Sequence, residues 1–181
     1  MLSSLGLAFT VRAVDLDETP LASETAEAMV RRLALAKARA TAEAGELILA
    51  ADTVVVLDGD LLGKPRDAAH AAATLARLAG REHTVATGVA LFEPGAGRER
   101  VTVEISRVRM APMSEREVAW YVSSGEPLDR AGSYAIQGLG ALFVDTVDGN
   151  YSNVVGLPLP ATYRLFREIG YDLLQFVAIP T

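Results

Sequence analysis

The sequence predicts an α/β fold in which an elongated, mixed sheet is flanked by helices. Residues 46–57 are apolar on both alternating faces, which is typical of a strand covered on both sides. Strand-like and helix-like segments alternate along the chain. Turn signals at 58–59 and 94–97 join neighbouring strands into hairpins. No linker rich in proline, glycine or serine divides the chain, so residues 1–181 are predicted to form a single domain.

In the first half of the chain, imperfect alternation predicts a strand over 7–14, followed by an acidic loop. A helix is predicted from Ser23, a candidate N-cap, to Gly45, a candidate C-terminal cap. After the strand at 46–57, the remaining predicted elements are a returning hairpin strand at 60–62 and a helix at 67–79 between Asp67 and Gly80.

The second half begins with two predicted strands, 83–93 and 98–109. Ser114 and Glu117 fit a capping box at the start of a third helix, on which Trp120 and Tyr121 are predicted to be core residues. The remaining predictions are a polar loop at 123–133, strand character at 133–147 broken by Gly138 and Gly140, and a last helix at 160–169 ended by Gly170.

Composition excludes several classes of function. The chain has 181 residues, half of them hydrophobic, and no cysteine, which excludes disulfides, thiol catalysis and cysteine-ligated zinc. The formal charge of −6, with no basic run, argues against nucleic-acid partners. No apolar stretch approaches the roughly 20 residues that a membrane helix needs. We therefore expect a cytoplasmic protein with no nucleic-acid and no membrane partner.

Asp52 is the most unusual residue of the sequence because it lies inside the apolar run 47–57. An isolated carboxylate in a dry interior is costly, so it must be paired, protonated or bound to a metal. This favours a functional role. The alternative is an aspartate at a strand end that caps a neighbouring backbone.

Two lysines are candidates for binding phosphate. Lys37 follows Val30, Leu33 and Ala34 at helical spacing and so lies on or beside an apolar stripe. Its alternative role is a side chain that extends past the stripe to solvent. Lys64 lies between a glycine and a proline, where a lysine could meet a phosphate or could be an ordinary exposed turn residue.

Two further features have both functional and structural interpretations. Glu18, with Asp15 and Asp17, forms a carboxylate cluster of the kind that suits magnesium, although such loops are often simply solvated. The amide of Gln137 offers one acceptor and two donors, which match the N3–H and a carbonyl of uracil or thymine. Its alternative role is to satisfy the backbone where glycines interrupt a strand.

Seven ordered motifs resemble the Maf family of nucleoside triphosphate pyrophosphatases over about Leu5 to Gly170. They are Asp17–Pro20, Arg32–Arg39, Ala51–Val55, Gly63–Asp67, Ser124–Asp129, Ile136–Ala141 and Tyr151–Pro158. The resemblance implies a fold related to the inosine triphosphate pyrophosphatases, with two lobes around a cleft. It also implies a divalent metal, Mg or Mn, and a homodimer.

The resemblance assigns a role to each candidate residue. Asp52 matches the family's proton acceptor and, with Glu18, its metal site. Lys37 and Lys64 match lysines that contact phosphate, and Thr53 and Gln137 match positions that set base choice. The threonine after the aspartate and the Ile-Gln-Gly motif resemble the branch that acts on dTTP and UTP. Whether Asp52 deprotonates the attacking water or holds the metal that activates it is left open by the sequence.

The leading hypothesis is therefore an enzyme that hydrolyses dTTP, UTP and modified pyrimidine nucleotides to the monophosphate and pyrophosphate. Family members usually begin with a strand and a Ser-x-Ser-Pro-Arg-Arg loop, and this sequence begins after the position of that loop. We expect the corresponding codons upstream of Met1. The alternative hypothesis is a non-catalytic, nucleotide-binding regulatory protein that affects septum formation.

Overall fold

The computed structural model describes residues 1–43 and 45–177. This part of the chain contains five α-helices and five strands. The helices are α1 (Ala26–Ala40), α2 (Ala68–Leu78), α3 (Glu115–Ser123), α4 (Tyr151–Val155) and α5 (Leu159–Glu168). The strands are β1 (Ile48–Leu57), β2 (Asp60–Leu62), β3 (Glu82–Glu93), β4 (Arg98–Met110) and β5 (Val144–Asp148).

The strands form one sheet in the order β2-β1-β3-β4-β5, which confirms the predicted α/β fold. β1 and β2 pair antiparallel, with Val55 opposite Leu62, and β4 and β5 also pair antiparallel. The caps of two helices agree with the sequence: the Asp67 side chain accepts the His70 N–H, and Ser114 and Glu117 form the capping box of α3. No helix within the described ranges is long and apolar enough to cross a membrane.

The chain divides into two compact units. The first unit consists of Met1–Asp52, Gly88–Val103 and the chain from Leu159 onward. Its core forms where α1 packs on β3: Val30, Leu33 and Ala34 are almost completely buried. A Cβ atom added to Gly88 would lie 2.2 Å from the carbonyl oxygen of Val30, so glycine is required for this close approach.

The second unit consists of Thr53–Thr87 and Glu104–Pro158. Its core is a larger cluster in which α2 and α3 contribute Leu75, Leu78 and Tyr121. Strands contribute Val55, Val85, Val108 and Met110 to the same cluster. Burial of this apolar surface stabilises the unit, and loop residues such as Tyr134 and Ile136 are held in place because they pack into the same cluster.

Several element predictions near the N-terminus are wrong. Residues 8–14 form no strand, and Leu7 makes only an isolated antiparallel bridge with Val177, because alternation alone does not supply a paired neighbour. The first helix begins after Thr25, whose side chain accepts the Ala28 N–H, because Ser23 has a left-handed φ of 61°. It ends at Ala40, before Gly45.

The segment after α3 also differs from prediction. The polar loop at 123–133 contains short 3₁₀ turns at Glu126–Asp129 and Ala131–Ser133. Strand structure is confined to β5, because Gly138 has a φ of 116° and Leu139–Phe143 forms a 3₁₀ helix. The short helix α4 was not predicted. Tyr121 is buried as expected, whereas Trp120 is 47% exposed and is not a core residue.

Candidate active site

Lys37 joins two carboxylates in the first unit. Its Nζ lies 2.6 Å from Oδ1 of Asp52 and 2.5 Å from Oε1 of Glu18. Lys37 comes from the last turn of α1 and Asp52 from β1, where it is 8% exposed. The two Lys37 contacts bring Glu18, Lys37 and Asp52 together as one charged group.

The charges of this group are unbalanced, because two carboxylates share one ammonium. Burial raises the pKa of Asp52, and the hydrogen bond from Lys37 lowers it only in part, while the charge of Glu18 raises it further. Burial lowers the pKa of Lys37, but the hydrogen bonds to Asp52 and Glu18 outweigh that effect and raise the pKa. The group therefore attracts a further positive charge, either a proton or a cation.

Arg32 anchors the acidic segment that carries Glu18. Its guanidinium donates to both carboxylate oxygens of Glu24 at 2.7 Å and to the carbonyl of Thr19 at 3.3 Å. The bidentate pair lowers the pKa of Glu24 to about 2. Asp17 does not join Lys37; it accepts the backbone N–H of Thr19 at 2.9 Å. The predicted cluster of three carboxylates therefore contributes only Glu18 to the contact with Lys37, and the surrounding residues form a turn that holds Glu18 there.

Thr53, the next residue on β1, belongs to the second unit. Its hydroxyl lies 2.9 Å from the hydroxyl of Thr87, which in turn donates to the backbone carbonyl of Asn153 at 3.2 Å. Thr87 and Asn153 are completely buried. This chain of hydrogen bonds ties Thr53 to α4, the helix that the sequence did not predict.

Lys64 is exposed and pairs with an acidic partner in the second unit. Its Nζ lies 2.6 Å from Oδ1 of Asp129, and both side chains are largely in solvent. The backbone N–H of Gly132 donates to the carbonyl of Gly63 at 3.1 Å, so the Glu126–Ser133 segment lies against the residue before Lys64. An exposed pair of this kind contributes little to stability and leaves the ammonium accessible.

Gln137 is exposed, and its side chain forms no hydrogen bond with another residue that the structure describes. The predicted alternative, in which the amide satisfies the interrupted backbone, is not observed. Instead, the carboxylate of Glu126 accepts the N–H groups of Leu139 and Gly140. Sequence reasoning missed this role of Glu126, as it missed Asp129, Thr87 and Arg32.

The predicted site residues thus fall into two sets. Glu18, Lys37 and Asp52 lie together in the first unit, and Thr53, Lys64 and Gln137 belong to the second. Among the residues that the structure describes, no three acidic or histidine side chains are grouped as metal ligands. Glu18 and Asp52 are therefore a two-carboxylate set.

The fold and this site define an α/β protein with a buried carboxylate paired to a lysine and a second carboxylate. The model of the Maf-like protein family matches residues 1–169. The chain belongs to the Maf family.

Curated relatives are similar over almost the whole chain. The dTTP/UTP pyrophosphatase of Myxococcus xanthus is 52% identical, with 96% of this chain and 88% of the relative covered. The protein of the same name from Anaeromyxobacter sp. strain Fw109-5 is 51% identical over 96% of this chain and 85% of the relative. That of Symbiobacterium thermophilum is 44% identical over 96% and 89%.

Proposed function

We propose that this protein hydrolyses dTTP and UTP to the nucleoside monophosphate and pyrophosphate. The observation that carries the proposal is the buried carboxylate of Asp52, held by Lys37 beside Glu18. The names of the relatives in Myxococcus and Anaeromyxobacter supply the substrates and support the same reaction.

In the proposed reaction, a water oxygen attacks the α-phosphorus in line with the bond to the bridging oxygen between the α- and β-phosphates. The new P–O bond forms as the bridging bond breaks, and pyrophosphate leaves with the bonding electrons. Asp52 accepts the proton that the water loses. The raised pKa of Asp52 makes it a stronger base than an ordinary aspartate, which suits this role.

Lys37 has two functions in this proposal. It orients the Asp52 carboxylate through the 2.6 Å hydrogen bond, and its charge offsets the negative charge that a triphosphate brings to an acidic protein. Lys64 supplies a second cation for the phosphates. Its partner Asp129 holds the ammonium in place until phosphate oxygens compete for it.

The donor set of Glu18 and Asp52 fits a divalent cation. Mg²⁺ in nucleotide-hydrolysing proteins commonly takes one or two carboxylates and fills its other positions with water and phosphate oxygens. Two carboxylates that share one ammonium have the net negative charge that such binding needs. When bound, the cation would neutralise phosphate charge and polarise a water ligand.

Base choice is proposed to depend on Thr53 and Gln137. Thr53 is fixed by Thr87, and the exposed amide of Gln137 is available to pair with the N3–H and a carbonyl of uracil or thymine. We also propose that the protein acts in the cytoplasm as a homodimer.

The test is release of pyrophosphate from dTTP and UTP with Mg²⁺ or Mn²⁺, compared with dATP, GTP and CTP. The protein assayed includes any residues encoded in frame upstream of Met1. We expect turnover of the two named substrates and loss of turnover in Asp52→Ala. Tight binding of UTP without pyrophosphate release would favour the regulatory hypothesis instead, and full activity of Asp52→Ala would remove the proposed base.

A further inference from the structure

We propose that Glu126 is a positioning residue that fixes the backbone around Gln137 so that its amide meets the pyrimidine base. The inference rests on the proposed function, because it assigns a specificity role within the same substrate. Glu126 begins a 3₁₀ turn in the loop after α3, a region that the sequence predicted only as a polar loop.

The carboxylate of Glu126 accepts three hydrogen bonds. The hydroxyl of Tyr121 donates to Oε1 at 2.7 Å, and the N–H of Gly140 donates to the same oxygen at 2.9 Å. The N–H of Leu139 donates to Oε2 at 3.0 Å. Both carboxylate oxygens of Glu126 therefore accept hydrogen bonds. Two of the three donors, the N–H groups of Leu139 and Gly140, belong to the backbone just after Gln137.

The backbone just before Gln137 is held by the same pair of side chains. The N–H of Ala135 donates to the hydroxyl of Tyr121 at 3.0 Å, and that hydroxyl donates to Glu126. The ring of Tyr121 is completely buried in the core of the second unit. Gln137 is therefore held from both sides by a network anchored in the core, while its own side chain is exposed.

Two glycines make this arrangement sterically possible. A Cβ atom on Gly138 would lie 2.3 Å from Oε2 of Glu126, and one on Gly140 would lie 2.3 Å from the carbonyl oxygen of Ala135. Gly138 also has a left-handed φ of 116°, which L side chains rarely adopt. The backbone thus passes directly over the carboxylate with no space for side chains between them.

Ionisation of Glu126 suits its role as an acceptor. Burial raises its pKa, but the hydrogen bonds from Tyr121, Gly140 and Leu139 outweigh this effect and lower the pKa overall. An ionised carboxylate accepts hydrogen bonds at both oxygens and donates none. A glutamine at this position would direct an NH₂ group toward one of these donors, so one hydrogen bond would be replaced by a repulsive contact.

The position of Gln137 is important because its amide can recognise a base only when its oxygen and NH₂ group point at the matching groups of that base. Uracil offers an N3–H donor beside a carbonyl acceptor, and a glutamine amide matches both only in one plane and at one distance. Loss of the Glu126 network frees the backbone on both sides of the residue, and the fixed amide becomes one of many conformers. Base binding then weakens, whereas the phosphates are bound by other residues.

The test is the kinetics of Glu126→Gln and Tyr121→Phe with UTP, with Glu115→Gln as the control. Glu115 is an exposed glutamate in the first turn of α3, and its side chain forms no hydrogen bond with another described residue, so its variant removes a surface charge without touching the Glu126 network. We expect KM for UTP to rise about tenfold in both test variants while kcat changes less than about threefold, because the lost contact is remote from the reacting phosphorus.

Hydrogen exchange of the 138–141 backbone, measured without nucleotide, gives a readout that is independent of turnover. We expect faster exchange at the amides of Leu139 and Gly140 in Glu126→Gln, but not in Glu115→Gln. A fall in kcat at unchanged KM, or unchanged kinetics and exchange, would overturn the positioning role. Wild-type protein that cleaves neither UTP nor dTTP would overturn the proposed function itself. The exchange measurement does not depend on turnover, and exchange in Glu126→Gln equal to that of wild type would show that the hydrogen-bond network does not hold this backbone.

Discussion

Lys37 Nζ and Asp52 Oδ1 lie 2.6 Å apart, although the residues come from a helix and a strand. Asp52 is 8% exposed, so its charge depends mainly on this ammonium for compensation, with a smaller contribution from the charge of Arg32. The compensation is incomplete, because burial still raises the pKa of Asp52 above its ordinary value. The site thus keeps a carboxylate whose ionisation costs folding free energy.

The first prediction separates the activity of Asp52 from its effect on stability. Because the folded-state pKa of Asp52 is raised, its contribution to stability is present below the unfolded-state pKa and is lost as pH rises through the folded-state pKa. Asp52→Asn should therefore abolish pyrophosphate release without lowering the free energy of unfolding at pH 7.

Urea unfolding and a pyrophosphate assay check this prediction. The matched control is Asp145→Asn on β5, where the aspartate is exposed and forms no ion pair or hydrogen bond with another residue that the structure describes. The control should retain both stability and turnover. A clear loss of stability in Asp52→Asn would mean that the Lys37–Asp52 pair as a whole stabilises the fold, as the raised pKa of Lys37 indicates, and that this outweighs the cost of ionising Asp52.

The second prediction concerns the charges around Asp52. Removal of the ammonium in Lys37→Met should raise the pKa of Asp52 further, because the lowering effects of Lys37 are lost. Removal of a negative charge in Glu18→Gln should lower it. The measurement is a ¹³C NMR titration of the Asp52 carboxylate, which does not require activity. Shifts of the same sign in both variants would contradict the charge arrangement described above.

Residues of the site differed in how readily the sequence revealed them. Asp52 and Lys37 stand out because each is a charge in an apolar pattern, and burial of a charge demands a partner. Their mutual contact spans 15 residues and joins a predicted helix to a predicted strand. Both elements are confirmed, apart from the helix ends and the first two residues of the strand. Local patterns therefore singled out these two residues and the elements that carry them, but not the contact between them.

Glu126 and Asp129 carried no such signal. They lie in a polar loop, where acidic residues are ordinary. The partners of Glu126 are 5 to 14 residues away, and the partner of Asp129 is 65 residues away. Their roles depend on 3₁₀ turns and a left-handed glycine, which follow from tertiary packing rather than from periodicity. For the same reason, the 133–147 segment was wrongly predicted as mostly strand.

The third prediction distinguishes Lys64 from its partner. Lys64→Ala should raise KM for UTP at least about tenfold, because a cation for the phosphates is lost, and added salt should reduce the difference from wild type. Asp129→Asn should lower KM or leave it unchanged, because the ammonium no longer has a competing carboxylate. Both variants should unfold within about 0.5 kcal/mol of wild type, since the pair is exposed.

Steady-state kinetics at two salt concentrations and urea unfolding check the third prediction. An increase of KM in Asp129→Asn as large as that in Lys64→Ala would mean that the aspartate is needed to position the lysine. A large loss of stability in either variant would instead assign the pair to the fold.

The last prediction concerns the packing that places α1, and with it Lys37, on the sheet. In Gly88→Ala the new Cβ would lie 2.2 Å from the carbonyl oxygen and 2.5 Å from the carbonyl carbon of Val30. These are backbone atoms on the buried face of α1 and cannot move aside as a flexible side chain would, so the helix itself must shift. We expect the free energy of unfolding to fall by about 3 kcal/mol, the upper end of the usual cost of overpacking.

Gly63→Ala is the matched control, because a Cβ there meets nothing within 4 Å and the φ of Gly63 is not left-handed. Its free energy of unfolding should stay within about 0.5 kcal/mol of wild type. Thermal unfolding measures both variants, and equal stability of the two would show that α1 does not pack as closely on β3 as described.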